Sequence, residues 1–353
     1  MEFVSSDRFG NSWPSGDIKM KSLGGKPQGA RLERIKASPR WAGEQFRNLH
    51  PLETWAKPPA SRLRATWLGH STVLIEIDGL RVLTDPVWGT RASPSRLAGP
   101  KRFQPVPVPL GALPPLDLVI VSHDHYDHLD YPTIRKLSKR DVPFVTSLGV
   151  GAHLEAWGVP PERIVELDWW ESHRLPNTGL TVTAAPSQHF SGRRLKERNT
   201  TLWSSLVIRS QRHAVFFSGD TGLTTEYQTI RERLGPFDLV MLEVGAFHPA
   251  WGDMHLGPQH ALEALALLGG GAFLPVHWGT FSLAMHAWDQ PAETLLELGP
   301  KTGARLVMPR LGEPIEPAHA ERVAPWWRDV DSVSLESKPD ATTLPKAVPW
   351  PID

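Results

Sequence analysis

In the stretch Val119–Asp130, VIVSHDHYDHLD, three histidines and three aspartates fall within eight residues, directly behind an apolar run. Ionisable side chains at that density are costly to hold together unless something compensates them. The chain has no cysteine, so disulfides and thiolate ligands are excluded and any metal must be held by His, Asp or Glu. The spacing His123-x-His125-x-Asp127-His128 lies where a buried strand should end and a helix begin. An extended i, i+2 pair sends His123 and His125 to one side, able to grip one cation. Asp127 and His128, where the chain turns, can face a second. Two divalent ions roughly 3.5–4 Å apart can clamp a water between them. The plain alternative, a polar loop with solvated histidines, is disfavoured by the strand-then-helix setting.

Four ligands cannot complete two metal shells, so a dinuclear reading requires more His and Asp at strand ends. TVTAAPSQHFSG places His189 after one apolar run, AVFFSGDTG places Asp220 after another, and AFLPVHWGT places His277 after a third. Each alone reads equally well as a hydrogen-bonded turn residue; as a set in a cysteine-free chain they argue for a metal cage. His/Asp ligation suits zinc, manganese or iron, and geometry rather than residue type separates them. Asp124 and Asp130 fall outside this ligand set.

The elements that must position these residues are legible in the patterning. At 353 residues the chain can bury a sizeable core as one large α/β domain or two smaller ones. Lys plus Arg and Asp plus Glu balance at 38 each, which excludes polyanion binding by bulk charge while leaving a local basic patch open. There are 34 prolines and 15 tryptophans, indicating many irregular connections and a tryptophan-rich core. No signal-peptide pattern or transmembrane span is visible, which predicts a cytoplasmic protein. Met20 offers an alternative start. Residues 1–60 read as an arm packing on the main domain, with 1–30 flexible; residues 61–316 form the catalytic domain and 317–353 a C-terminal tail. In RATWLGHSTVLIEIDGLRVLTDPVW, Val73, Ile75 and Ile77 alternate with other residues before Asp78-Gly79, a β-hairpin signal. Residues 99–116, rich in proline, read as an ordered surface loop near the site. Strands are predicted at LDLVIVS, VPFVTSL, RIVEL, GLTVTAA, LWSSLVIRS, HAVFFSGD, FDLVMLEVG, AFLPVHWGT and RLVMPRLG. Helices are predicted at DYPTIRKLSKR, 150–157, 224–234, GPQHALEALALLG and 291–298. The order suggests two sheets with helices on their outer faces, one layered α/β domain. GGKPQG and LGGGAF lack the setting of a phosphate-cradling loop, and no G-x-S-x-G elbow occurs.

The ordered set His123-x-His125-x-Asp127-His128, His189, Asp220 and His277 resembles the metallo-β-lactamase-fold hydrolases. The resemblance implies an αββα sandwich, two mixed sheets flanked by helices, with two divalent metal ions at one edge, usually Zn2+, with Mn2+ or Fe2+ as alternatives. It implies that His123, His125 and His189 bind the first metal, that Asp127, His128 and His277 bind the second, and that Asp220 bridges both. Asp85 in TDP matches an aspartate that braces the histidine loop. His70 in WLGHST also matches a family position and is read as a hydrogen-bonded histidine beside the site. The words WLGHSTVLIEIDG, SHDHYDHLDYPTI, DWWES, RNTTLWSSLVI, FSGDTG, VHWGTF and SPRWAGEQFRNLHP look like the branch containing N-acyl-phosphatidylethanolamine-hydrolysing phospholipase D and its bacterial relatives. This likeness runs from about Arg34 to about Pro314.

What the branch implies is a metal-dependent phosphodiesterase in which Asp127, Asp220 and His255 take part in catalysis. In the family a histidine in the segment of His255 contacts substrate phosphate; the alternative is a solvated ring at a helix start, and an exposed helical face accounts for Asp253 and His260. Metal coordination lowers the pKa of bound water to roughly 7, which suits hydrolysis at neutral pH. Trp203, Trp251 and Trp278, with Trp169 and Trp170, could form an apolar substrate rim or simply pack. The expected substrate is a small-molecule or lipid phosphodiester, with nucleic acid disfavoured. Peripheral membrane contact through the basic arm (Lys19, Lys21, Lys26, Arg31, Arg34, Lys36) and a homodimer stay open. Competing readings are a lactonase on the same dinuclear site, a nuclease, and a non-catalytic binding protein that retains the fold.

Overall fold

The computed structural model describes residues 51–95, 97–193, 197–248 and 254–329. Residues 1–50 of the arm read over 1–60 therefore lie outside the described residues, which begin at the short helix α1 (Pro51–Trp55).

The first sheet opens with β1 (Leu63–Gly69), β2 (Thr72–Ile77) and β3 (Leu80–Thr84), joined antiparallel. The predicted hairpin is present: Ile77 pairs with Leu80 across Asp78 (φ 49) and Gly79 (φ 92). Two consecutive positive φ values define the turn whose twist matches that of paired strands, which is why Asp-Gly occupies it. Beyond β3 the pairing becomes parallel through β4 (Leu118–Val121), β5 (Phe144–Ser147) and β6 (Ile164–Leu167). The crossovers carry α2 (Tyr131–Leu137) and α3 (Gly151–Ala156).

The second sheet repeats this plan. Strands β7 (Ser172–Arg174), β8 (Thr181–Ala185), β9 (Ser205–Arg209) and β10 (Ala214–Phe217) pair antiparallel. Then β11 (Leu239–Glu243), β12 (Ala272–Val276) and β13 (Arg305–Leu306) continue in parallel from β10. Helices α4 (Glu226–Leu234), α5 (Gly257–Leu267) and α6 (Gln290–Thr302) accompany these parallel steps. The chain then returns to the first sheet as β14 (Pro314–Ile315), antiparallel to β1. Each sheet has seven strands, and the whole is the αββα sandwich of two mixed sheets.

Alternation along β2 explains the layering. Val73, Ile75 and Ile77 join Val215, Phe217 and Leu239 of the second sheet in one core cluster, while Leu74 turns outward to Leu83, Ile134, Leu137 and Leu154 beneath α2 and α3. Both faces of β2 are covered, so every residue in it is buried. Its one glutamate, Glu76, is held by Arg64 through a two-pronged pair of 2.5 and 2.8 Å.

Strand direction decides where chemistry can gather. In the first sheet β1, β3 and β4 run the same way; in the second β8, β10, β11 and β12 do. His70, Asp85 and the His123–His128 loop follow the first three strands. His189, Asp220 and His277 follow β8, β10 and β12. Carboxyl ends of co-directional strands form the usual ligand edge of such sheets.

Residues 317–329, read as the start of a tail, pack into the domain. Trp326 and Trp327 are buried against Trp278, which itself stacks on Trp67 at a centroid distance of 5.2 Å. Glu293 on α6 accepts from Trp327 Nε1 at 2.8 Å and pairs with Arg328. A pair of large aromatics has far more surface to bury than to expose, and that anchors the segment. Among the described residues no helix is long and apolar enough to cross a membrane.

Replacing Trp326, which is 2 % exposed, with Ala should cost about 3–5 kcal/mol of unfolding free energy. Urea titration checks this; an unchanged midpoint would mean the segment is a tail after all.

Candidate metal centre

The histidine loop leaves β4 through Ser122, whose backbone N–H and hydroxyl both donate to Asp85, at 2.7 Å each. Asp85 Oδ2 also accepts from His128 Nδ1 at 2.6 Å. One buried carboxylate thus fixes both ends of the loop and turns His128 Nε2 inward. Asp124 accepts from Gly192 N–H at 2.8 Å, tying this loop to the one that carries His189. Asp130 accepts from Gly89 N–H at 3.0 Å and from the Thr133 hydroxyl at the start of α2. These two aspartates hold loops together and belong to neither group of ligand atoms.

Two glycines permit the close approach of the strand ends. At Gly219 (φ 56), just before Asp220, a Cβ would lie 2.7 Å from Ser122 Cβ. At Gly245 a Cβ would lie 1.9 Å from the carbonyl oxygen of His277. His277 N–H donates to His70 O at 3.0 Å, which links the first sheet to the second. His70, Asp85 and His277 all have positive φ (51°, 32° and 65°), a strained conformation for non-glycine residues.

The seven residues of the sequence-derived ligand set converge in two groups that share Asp220. In the first, His125 Nδ1 lies 3.0 Å from His123 Nε2 and 3.3 Å from His189 Nε2. Asp220 Oδ2 is 3.9 and 3.7 Å from the same two Nε2 atoms. In the second, Asp127 Oδ2 lies 3.3 Å from His277 Nε2 and 3.5 Å from His128 Nε2. Asp220 approaches this group with both oxygens, Oδ1 3.1 Å from His128 Nε2 and Oδ2 3.2 Å from His277 Nε2. The ligand atoms of His123, His125, His189 and Asp220 all lie within 4.8 Å of one another, and so do those of His70, Asp127, His128 and His277. Donors about 2.0–2.1 Å from a tetrahedral ion stand about 3.3 Å apart, so this spacing fits a divalent cation.

His70 comes closer to the centre than a merely neighbouring histidine. Its Nε2 lies 2.9 Å from Asp127 Oδ2, making it a fourth member of the second group. A residue absent from the sequence reading joins as well. Glu243, fully buried at the end of β11, places Oε2 2.7 Å from His255 Nδ1 and 3.6 Å from His277 Nδ1. The available signal was the pattern LVMLEVG, a carboxylate closing an apolar strand as the other ligands do. His255 itself is packed rather than solvated, its ring edge-on to His189 (5.1 Å) and stacked near His277 (5.5 Å).

The tryptophans read either as a rim or as packing residues are held by backbone carbonyls. Trp203 donates to Ser187 O at 2.9 Å, and Trp169 donates to Trp203 O at 2.7 Å. Trp278 is buried on Trp67 and donates to Pro275 O at 3.1 Å. Trp251 and Asp253 lie outside the described residues, and His260 is half-buried on α5.

Charge is distributed unequally over the cage. Burial, reinforced by neighbouring histidines, holds His123 and His189 well below the usual imidazole range. His70 is lowered to about 3, chiefly by burial. Burial would raise Asp127 and Asp220, yet the adjacent His128 and His277 hold both well below the usual carboxylate range. Conversely, burial opposes a charge on His277, but Asp220 and Asp127 push it up to about 10, and His128 is likewise raised. Without metal, protons on these two histidines neutralise the buried carboxylates.

Comparison with known proteins agrees with this centre. Residues 80–278 match the β-lactamase superfamily domain. The chain is 50% identical over 273 residues to an uncharacterized protein of Mycobacterium tuberculosis, covering 76% of this chain and 73% of that one. It is 37% identical over 249 residues to N-acyl-phosphatidylethanolamine-hydrolyzing phospholipase D 1 of Caenorhabditis elegans, covering 67% of this chain and 70% of the nematode protein. Among solved structures, the metallo hydrolase Igni18 of the archaeon Ignicoccus hospitalis shares the fold, with a TM-score of 0.56 at 22% identity over 72% of this chain and 97% of that one. The chain belongs to the metallo-β-lactamase superfamily. With its buried His/Asp clusters it is a metal-dependent hydrolase of that fold.

Because a metal must displace the proton on His277, whose pKa is raised to about 10, cation binding at pH 8 should release protons. Affinity should keep rising with pH above 7, where an ordinary histidine site levels off. Calorimetry in two buffers of different ionisation enthalpy measures this; identical heats in both would refute it.

Proposed function

We propose that the chain hydrolyses phosphodiesters at a centre of two divalent cations, zinc foremost, with lipid-like substrates of the N-acyl-phosphatidylethanolamine type ahead of nucleotides. The observation that carries this reading is the position of Asp220, a single carboxylate within reach of both donor groups. His123, His125 and His189 would hold one cation and Asp127, His128 and His277 the other, with Asp220 between them. When bound, the cations supply Lewis acidity toward a phosphoryl oxygen and acidify water.

The remaining work falls to the chain itself. Asp85 accepts the Nδ1 proton of His128, which fixes the tautomer whose Nε2 is free to coordinate. Burial of the cage keeps bulk water away from the donors, where electrostatic interactions are strongest. His255 would contact the phosphoryl group, a role supported by its packing between His189 and His277. Similarity to the nematode phospholipase supports a lipid phosphodiester, and the zero formal charge gives no support to a nucleic-acid substrate. Peripheral membrane contact of a cytoplasmic protein is consistent with such a substrate.

One metal-loaded preparation, assayed in parallel on bis-p-nitrophenyl phosphate, a long-chain N-acyl-phosphatidylethanolamine and simple lactones, tests the assignment. Turnover of the phosphodiesters, abolished by chelation and restored by metal, is expected; turnover of lactones alone would replace it with a lactonase. Asp220→Ala should lower kcat by more than roughly 100-fold, because even partners one layer outside a metal are worth 10–100-fold. A variant with near-wild-type rate would refute a shared carboxylate.

A further inference from the structure

Glu243 is the buried carboxylate that the ligand set leaves over. Its two oxygens are fully committed. Oε1 accepts the backbone N–H of Thr221 at 2.9 Å and of Leu256 at 3.2 Å. Oε2 accepts from His255 Nδ1 at 2.7 Å and faces His277 Nδ1 at 3.6 Å. Its own N–H donates to Ser218 Oγ at 3.1 Å, so the backbone below is fixed too. Thr221 follows Asp220 and Leu256 follows His255. One side chain therefore ties together the loop of the shared aspartate, the start of α5 and the strand end that supports both.

An ionised carboxylate has acceptor sites only. Facing Oε2 at hydrogen-bond distance, His255 must carry a proton on Nδ1, which leaves Nε2 as the nitrogen at the opposite edge of the ring. No hydrogen bond among the described residues engages that edge, and the side chain keeps 13 % exposure although its ring is wedged between two members of the cage. The pair has the form of a carboxylate that orients an imidazole from behind, in which the outer partner sets tautomer and ring angle.

We propose that Glu243 is a positioning residue, which locks His255 in the Nδ1–H tautomer so that Nε2 faces the reacting group. The consequence for turnover rests on the phosphodiester reading; the tautomer itself does not. Glu243 acts through His255 and touches no substrate. A purely structural role would need the contacts to Thr221 and Leu256 alone. The substitution Glu243→Gln separates the two roles. Its amide oxygen can still accept from both backbone N–H groups, while its NH2 can only donate to His255 and so forces the proton onto Nε2.

The decisive measurement is the imidazole 15N spectrum of 15N-histidine-labelled, zinc-loaded protein, with the His255 resonances assigned by their loss in His255→Asn. Wild-type protein should show a protonated Nδ1 and an unprotonated Nε2, and Glu243→Gln the reverse, with metal content unchanged. On bis-p-nitrophenyl phosphate, Glu243→Gln should lower kcat by roughly 10–100-fold with KM nearly constant. Adding it to His255→Asn should cost little more, as expected for residues acting as one unit. A wild-type His255 protonated at Nε2, or losses that multiply in the double variant, would overturn the proposal. If no phosphodiester is turned over, the function reading fails while the wild-type spectrum still decides the role of Glu243, as it does if the Gln variant does not fold.

Discussion

A carboxylate almost out of reach of water, Asp220 at 3 % exposure, stands within 4 Å of the imidazoles of four histidines, and the rest of the structure serves that arrangement. Removing one ion from water costs several kcal/mol even after relaxation, so a carboxylate here needs partners on every side. Protons on His128 and His277 provide them in the metal-free chain. Cations provide them better, because neutral imidazoles and ionised carboxylates can then all be ligands at once. Protons and metal compete for the same charge.

Bringing four histidines from distant segments around one carboxylate dictates the topology. They reach it because the carboxyl ends of β4, β8, β10 and β12, in two sheets, open on the same edge. Glycine at 219 and 245 removes the Cβ atoms that would keep those ends apart. His70, Asp85 and His277 accept a backbone conformation that costs of order 1–3 kcal/mol each. The apolar sandwich beneath sustains that strain, with Trp278, the residue after His277, stacked on Trp67. Changes in this tryptophan layer should therefore be felt at the centre above it.

Much of this was legible in the sequence, for reasons that also mark the limit. The hairpin at Asp78-Gly79 and the apolar strands are local patterns, and so is a ligand that directly follows an apolar run. His123, His189, Asp220 and His277 could be picked out because each sits at such a boundary, and the family resemblance gave their order a meaning. His70 has the same local setting, but its 2.9 Å approach to Asp127 depends on how β1 lies against the histidine loop, which no local pattern encodes. Glu243 looks like the last residue of a buried strand until the fold places α5 over it. Trp326 and Trp327 lie beyond the end of the resemblance, and only the tryptophan layer they complete explains their burial.

The two outer carboxylates have matching places. Asp85 follows β3 in the first sheet, and accepts from Ser122 and His128 on the histidine loop. Glu243 ends β11 in the second, and accepts from Thr221 beside Asp220 and from His255. Each sheet thus contributes one acid to the cage, Asp127 and Asp220, and one acid behind it. Four carboxylates thus converge on the histidine cluster. With every histidine neutral, the charge they leave uncompensated equals that of the two divalent cations proposed for the site. A single divalent ion would leave half of it to protons, which the same histidines would then have to carry instead of coordinating. The acids gathered there, two in the cage and two behind it, favour divalent cations over protons at this edge of the fold.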